Sequence, residues 1–163
     1  MNRIVKHYES LHDGDLKEIG LQPKMDPVGI WTEGWGHAIV YNGKFLKGIS
    51  NKKNAYKYSV IHTIEDADKY WDVDSKSIDL LIARVIKVRL TEYKKESIQS
   101  FFYNCGYSET LVRLINTKDK TLSEWWESHY ITGQGSSKPL PGLIARRKTE
   151  ALLFTTGELK FFN

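Results

Sequence analysis

Between Val28 and Tyr41 the chain reads VGIWTEGWGHAIVY, with two tryptophans set among three glycines. Glycine weakens a helix interior, while the aromatic and β-branched residues around it favour extended backbone. The stretch therefore predicts short strands and tight turns, and Asn42-Gly43 just after it predicts a two-residue hairpin turn. Beyond residue 62 the rhythm changes. Thr63 followed by Asp66 is a capping pattern that starts a helix near Ile64. Ile78, Leu81, Ile82, Val85 and Val88 then recur at core spacing through IDLLIARVIKVRL. Further helices are predicted from SIQSFFYNCG, from SETLVRLIN, after a capping pattern at Thr121 and Glu124, and from PGLIARRKTEALLF ending near Gly157. At the other end, RIVKHYESL puts Ile4, Tyr8 and Leu11 on one helical face with Glu9 near the helix terminus. HDGDLKEIGLQPKMDPVG reads as a looping connection and TGQGSSKPLPG, residues 132–142, as a surface loop.

This order predicts an α+β protein of one domain, residues 1–163, with a small strand-rich lobe over 13–62 and a larger helical lobe over 63–163 that takes in helix 2–11. A cleft between such lobes suits an extended polymer substrate. The lone Cys105 forms no intramolecular disulfide, so folding in a reducing cytoplasm is expected. No apolar run reaches the ~18 residues of a membrane span, and MNRIVKHYES lacks the apolar stretch of a secretory signal, so stable membrane insertion is not expected. The net charge of +4 favours an anionic partner without choosing one. Nucleic acid is not expected, because the basic residues are scattered and form no base-reading module. Arg146-Arg147-Lys148, the only run of three basic residues, reads as a solvated helix face. His7, His12, His62, His129 and Cys105 make no zinc spacing, HDGD lacks the rest of a calcium loop, and the glycines have no phosphate-loop lysine; no metal or cofactor is expected.

Cleaving a glycosidic bond needs a proton donor and commonly a second carboxylate that activates water or attacks the sugar. Glu9 and Asp26 could form that pair, but spacing alone does not select them from 20 acidic residues. MDPVGIWTEGWGHA closely resembles the motif around the catalytic aspartate and threonine of phage-type lysozymes, small endolysins related to bacteriophage muramidases. Asp26, Gly29, Thr32, Gly34, Gly36 and His37 stand at the positions of that pattern. The resemblance continues through YESL, which contains Glu9, and through FFYNCG, TLVRLIN and LPGLIARRKTEALLFTTG. A longer 12–25 connection and Glu33, at a position often filled by a small aliphatic residue, depart from it.

The resemblance implies a lysozyme-like fold and hydrolysis of peptidoglycan between N-acetylmuramic acid and N-acetylglucosamine for host-cell lysis. Glu9 would be the general acid, Asp26 an ionised carboxylate, and Thr32 a hydroxyl holding water. Trp31, Glu33, Trp35, Asn104 and Arg147 are expected at the substrate, with alternatives open. One tryptophan covers a sugar while the other fills the core, or both are core; Glu33 is a salt-bridged edge residue or faces substrate; Arg147, or Arg146, contacts a wall carboxylate or ties helices together. Gly34, Gly36, His37 and Gly106 are expected to support the site, Gly106 by ending a helix with Asn104. The implied protein is a monomer that folds in the host cytoplasm and reaches the wall or periplasm through holin-dependent export without binding the holin directly. The competing readings are an inactive lysozyme-like wall-binding or tail-associated protein, and a lytic transglycosylase. Carboxyl groups roughly 6.5 to 9.5 Å apart would indicate inversion, and about 5 to 5.5 Å retention.

Overall fold

The computed structural model describes residues 1–12, 21–26, 28–133 and 137–163. Half of the connection read at 12–29 and the middle of the loop at 132–142 lie outside the described residues. The chain forms two compact units, residues 6–74 with Met1, and residues 2–5 with 75–163.

The first unit holds most of helix α1 (Arg3–His12), the strands β1 (Lys24–Met25), β2 (Trp31–Glu33), β3 (His37–Ala38), β4 (Val40–Tyr41) and β5 (Lys44–Phe45), a single 3-10 turn at Ile49–Asn51, the short helix α2 (Lys52–Lys57), and the start of α3 (Ile64–Val85). β1, β2 and β3 form one antiparallel sheet in that order, and β4 and β5 a separate hairpin. The β4–β5 turn is built as the sequence predicts: Asn42 and Gly43 both take positive φ, 51° and 73°. Trp31, Ile39, Leu46 and Ala55 are its buried apolar cluster.

α3 begins where the capping pattern places it. Asp66 N–H donates to Thr63 Oγ1 at 3.0 Å, and His62 N–H donates to Asp66 Oδ2 at 3.1 Å. The His62 N–H, with smaller help from Thr63, holds the Asp66 carboxyl below the usual carboxylate range. The division between units falls inside α3, after Asp74, instead of before the helix at residue 62. The reason is local: Asp68 and Asp74 are bonded to side chains of the strand region, as described below, so the first three turns of α3 belong with the strands.

The second unit contains the rest of α3, then α4 (Glu92–Cys105), α5 (Glu109–Asn116), α6 (Leu122–Ser128) and α7 (Pro141–Thr156). α4 and α6 pack on α7 around Ile98, Phe101, Leu111, Trp126, Ala151 and Phe154. Helical spacing read through Val88 overruns the helix, which stops at Val85 because Asn116 intervenes. Asn116 Nδ2 donates to the Val85 carbonyl at 2.9 Å and its Oδ1 accepts from Lys87 N–H at 2.7 Å. The Thr121–Glu124 capping pattern is not made. Thr121 instead gives its hydroxyl to Asp119 Oδ1 at 2.6 Å, with its N–H at 2.8 Å, which lowers the Asp119 carboxyl from its usual value. Gly157, with φ 78°, closes α7 by donating its N–H to the Leu153 carbonyl at 2.9 Å.

Candidate active site

The β1–β2 hairpin positions two of the three residues assigned to catalysis. Its register pairs Lys24 with Thr32 and Met25 with Trp31. Because side chains alternate along a strand, Lys24, Asp26 and Thr32 fall on one face, Asp26 and Thr32 as diagonal neighbours, and Trp31 and Glu33 fall on the other. Asp26 continues the pairing past β1, donating its N–H to the Ile30 carbonyl at 2.8 Å. Its Oδ1 accepts from Val28 N–H and Ile30 N–H, both at 2.9 Å. Oδ2 carries no hydrogen bond among the described residues. Thr32 Oγ1 donates to the Lys24 carbonyl at 3.2 Å, which fixes the direction of its only proton. Glu9 lies half-buried on α1, in the same unit, one helical turn beyond Lys6. The Lys6 ammonium sits 5.2 Å from the centre of the Trp35 ring, so this face of α1 is turned toward the strand region.

The opposite face of the hairpin is a buried support. Trp31 is buried with its Nε1 donating to the Gly48 carbonyl at 2.8 Å. Trp35 is buried with its Nε1 donating to Asp68 Oδ1 at 2.9 Å. Of the two readings for the tryptophans, the geometry is the all-core one. Glu33 is neither a salt-bridged edge residue nor a substrate-facing carboxylate. It is 2 % exposed and accepts from Ser59 Oγ at 2.7 Å, Val60 N–H at 3.1 Å and Ile61 N–H at 2.8 Å, tying the strand to the segment before α3. Gly34 has φ 60°, and a Cβ there would lie 2.6 Å from Ile61 Cδ1 and 3.3 Å from Ala67 Cβ. Only glycine lets the turn between the tryptophans press this closely on α3.

His37, opposite Glu33 in the β2–β3 pairing, places Nδ1 2.7 Å from Asp74 Oδ2, and its ring packs against Tyr70. The bond to Asp74 raises the imidazole above the ordinary histidine value, outweighing the opposing effect of burial, and Glu33 adds to the rise. In the unfolded chain the group titrates near 6.5. A base whose folded-state value is raised contributes stability that is complete below that pH and is lost as pH rises through the folded value. Urea unfolding of the wild type against Asp74→Asn is therefore expected to show a stability difference that is largest in acid and shrinks above about pH 6.5. A difference that does not vary with pH would show that the pair is uncoupled. His7, which burial shifts the opposite way, cancels in this comparison.

In the helical unit, Arg146 and Arg147 are buried, overturning their reading as a solvated face; only Lys148 of that run is exposed. Arg147 is 0 % exposed, so it is closed to a saccharide. Its guanidinium donates to Asn104 Oδ1 at 2.8 Å and Glu150 Oε1 at 2.9 Å, contacts Cys105 Sγ, and lies over the Phe101 ring. Arg147 Nε is also 2.9 Å from Glu150 Oε2, but without the alignment of a hydrogen bond. The arginine thus joins α4 to α7. Asn104 is exposed apart from this bond, and Gly106, with φ 80°, ends α4. Burial pushes the Cys105 thiol up to about 11, against the pull of the two arginines, so it stays protonated and unreactive.

The phage lysozyme family model matches residues 16–150. The chain belongs to the phage lysozyme family. As a phage lysozyme, it is a glycoside hydrolase. The endolysin of Acyrthosiphon pisum secondary endosymbiont phage 1 is 27% identical over 157 residues, covering 93% of this chain and 92% of that protein. Among solved structures, the endolysin from Escherichia coli O157:H7 phage FAHEc1 superposes with a TM-score of 0.69 at 21% identity, covering 96% of this chain and 91% of that one. The muramidase domain of SpmX from Asticaccaulis excentricus does so with a TM-score of 0.68 at 22% identity, covering 94% and 92%. Both structural likenesses show the lysozyme-like α+β fold.

Within this phage lysozyme, sequence reasoning missed the groups that hold the site residues in place: Asp68 under Trp35, Asp74 under His37, the 59–61 segment around Glu33, and Glu150. Only the last left a signal, since Arg146 and Arg147 stand four and three residues before Glu150, the spacing of neighbours on one helix face.

Proposed function

We propose that this phage lysozyme is an endolysin that hydrolyses the β-1,4 bond between N-acetylmuramic acid and N-acetylglucosamine, with Glu9 as general acid and Asp26 and Thr32 positioning the water. The observation that carries the reading is the shared hairpin face of Asp26 and Thr32, with the Thr32 proton already given to the Lys24 carbonyl. A hydroxyl whose proton is committed can only accept from a water, and the Asp26 carboxylate is acceptor-only as well. A water held by both oxygens has its hydrogens directed inward and a lone pair free to face the anomeric carbon. Glu9 gives its proton to the bridging oxygen as the glycosidic bond breaks. The water oxygen bonds to the anomeric carbon, and Asp26 takes the proton the water loses.

Trp31, Glu33 and Trp35 serve this chemistry as fixed supports of the hairpin, Arg147 is a buried link within the helical unit, and Asn104 is the exposed member of the expected substrate set. Residues 1–163 then act as one catalytic domain and as a monomer. Among the described residues no helix is long and apolar enough to cross a membrane. The reading places the protein in the host cytoplasm before lysis and at the wall after holin-dependent passage.

Digestion of purified peptidoglycan in heavy-oxygen water tests the reaction. Mass spectrometry is expected to find new muramic reducing ends carrying one heavy oxygen. Unlabelled anhydro ends would replace hydrolysis with transglycosylation, and an absence of new ends from folded protein would leave a wall-binding protein.

A further inference from the structure

One face of the first unit takes no part in this chemistry. Residues 40–60 contain five lysines, Lys44, Lys47, Lys52, Lys53 and Lys57, and no acidic residue, so this segment alone carries more positive charge than the +4 of the whole chain. All five are exposed, and among the described residues none is ion-paired. Large apolar side chains stand between them: Phe45 is 61% exposed and Ile49 69%, with Tyr41 and Tyr56 also exposed.

These groups are continuous in space. β4 and β5 pair Val40 with Phe45 and Tyr41 with Lys44. Tyr41 stacks on Tyr58 at 4.4 Å between ring centres, and the Lys57 ammonium lies 5.4 Å from that Tyr58 ring. Beside them a depression of about 640 Å³ is lined by Ile49, Ser50, Lys52, Lys53 and Tyr56. Leu46 and Ala55 bury the underside, which anchors the hairpin and α2 and turns the other side chains outward.

We propose that this face, the β4–β5 hairpin with the 49–57 segment, docks the protein peripherally on a lipid bilayer rich in anionic headgroups. Unopposed lysines match the negative surface of such a bilayer, and lysine stems let the ammonium groups stay with the phosphates while neighbouring rings go deeper. The exposed phenylalanine and isoleucine decide between lipid and an anionic wall polymer. A hydroxyl- and phosphate-covered polymer offers them no apolar medium, whereas the boundary between headgroups and acyl chains does.

Co-sedimentation of the full chain with vesicles tests this. Binding is expected to vesicles of phosphatidylethanolamine and phosphatidylglycerol in a three-to-one ratio, to be released by high salt, and to be absent with phosphatidylcholine alone. Lys52→Ala combined with Lys53→Ala is expected to lower partitioning roughly 25-fold, about fivefold per lysine. Phe45→Ser combined with Ile49→Ser, which leaves the charge unchanged, is expected to lower it about tenfold or more. Both double variants should keep the wild-type melting transition and hydrolysis of purified peptidoglycan, since the altered side chains are exposed and outside the catalytic set. No binding to acidic vesicles overturns the proposal, as does full binding by the Phe45/Ile49 variant. Lysine-dependent binding to purified anionic wall polymer with none to vesicles would make this a polymer-binding face instead.

Discussion

Replacing Glu9 with glutamine is expected to lower the rate of peptidoglycan hydrolysis about 10²- to 10⁴-fold while leaving the fold intact. The substitution keeps the size and polarity of a half-buried side chain on α1 and removes only its capacity to give a proton. Rates on purified sacculi, read from new reducing ends, measure the loss. Sedimentation with the same sacculi should show binding preserved, which separates lost chemistry from lost recognition. Asp26→Asn sharpens the reading, because an amide oxygen can still accept from Val28 and Ile30 N–H while the group can no longer take a proton from water. A Glu9→Gln protein with near-native rate would mean that another acid protonates the leaving oxygen.

The other large effect is on stability. Glu150 is fully buried, and its carboxylate accepts from Ser100 Oγ at 2.5 Å, Trp126 Nε1 at 3.0 Å and Arg147 at 2.9 Å, with Arg146 Nε 3.4 Å away. Glu150→Gln would leave the buried Arg147 guanidinium without this carboxylate. Removing one partner of a buried pair costs about 3 to 5 kcal/mol, because the remaining charge stays desolvated. For a chain of this size that corresponds to a fall in Tm of roughly 6 to 20 °C by calorimetry. A loss under about 1 kcal/mol would show that the arginines are solvated on local opening. Substituting all three residues together with apolar ones of similar volume should recover much of the loss, since it removes the buried charges along with their partner.

Much of the fold was legible because its signals are local. Asn42-Gly43 demands two positive φ values in succession, Thr63 and Asp66 satisfy N–H groups within four residues, and Gly157 closes a helix with the residue four before it. What stayed hidden depends on distant partners. Asn116 stops α3 from 31 residues away, and no periodicity in IDLLIARVIKVRL could announce that. β1 is two residues long, too short to show alternation, so it read as loop. Arg146 and Arg147 mislead because counting charge treats every basic residue as solvated, although their spacing to Glu150 is that of neighbours on one helix face. At the candidate site, the pattern of residues pointed to Asp26 and Thr32, and the register supplied what the pattern lacks, the face on which each side chain stands.

Residues 2–5 belong with residues 75–163, and Asn2 and Arg3 are fastened to Glu96 on α4. This stretch is made well before Glu96, so it must wait for α4 before it can settle. Synthesis order and assembly order run against each other here, and the N-terminal turn of α1 is a late piece of the helical unit although it is made before residues 75–163.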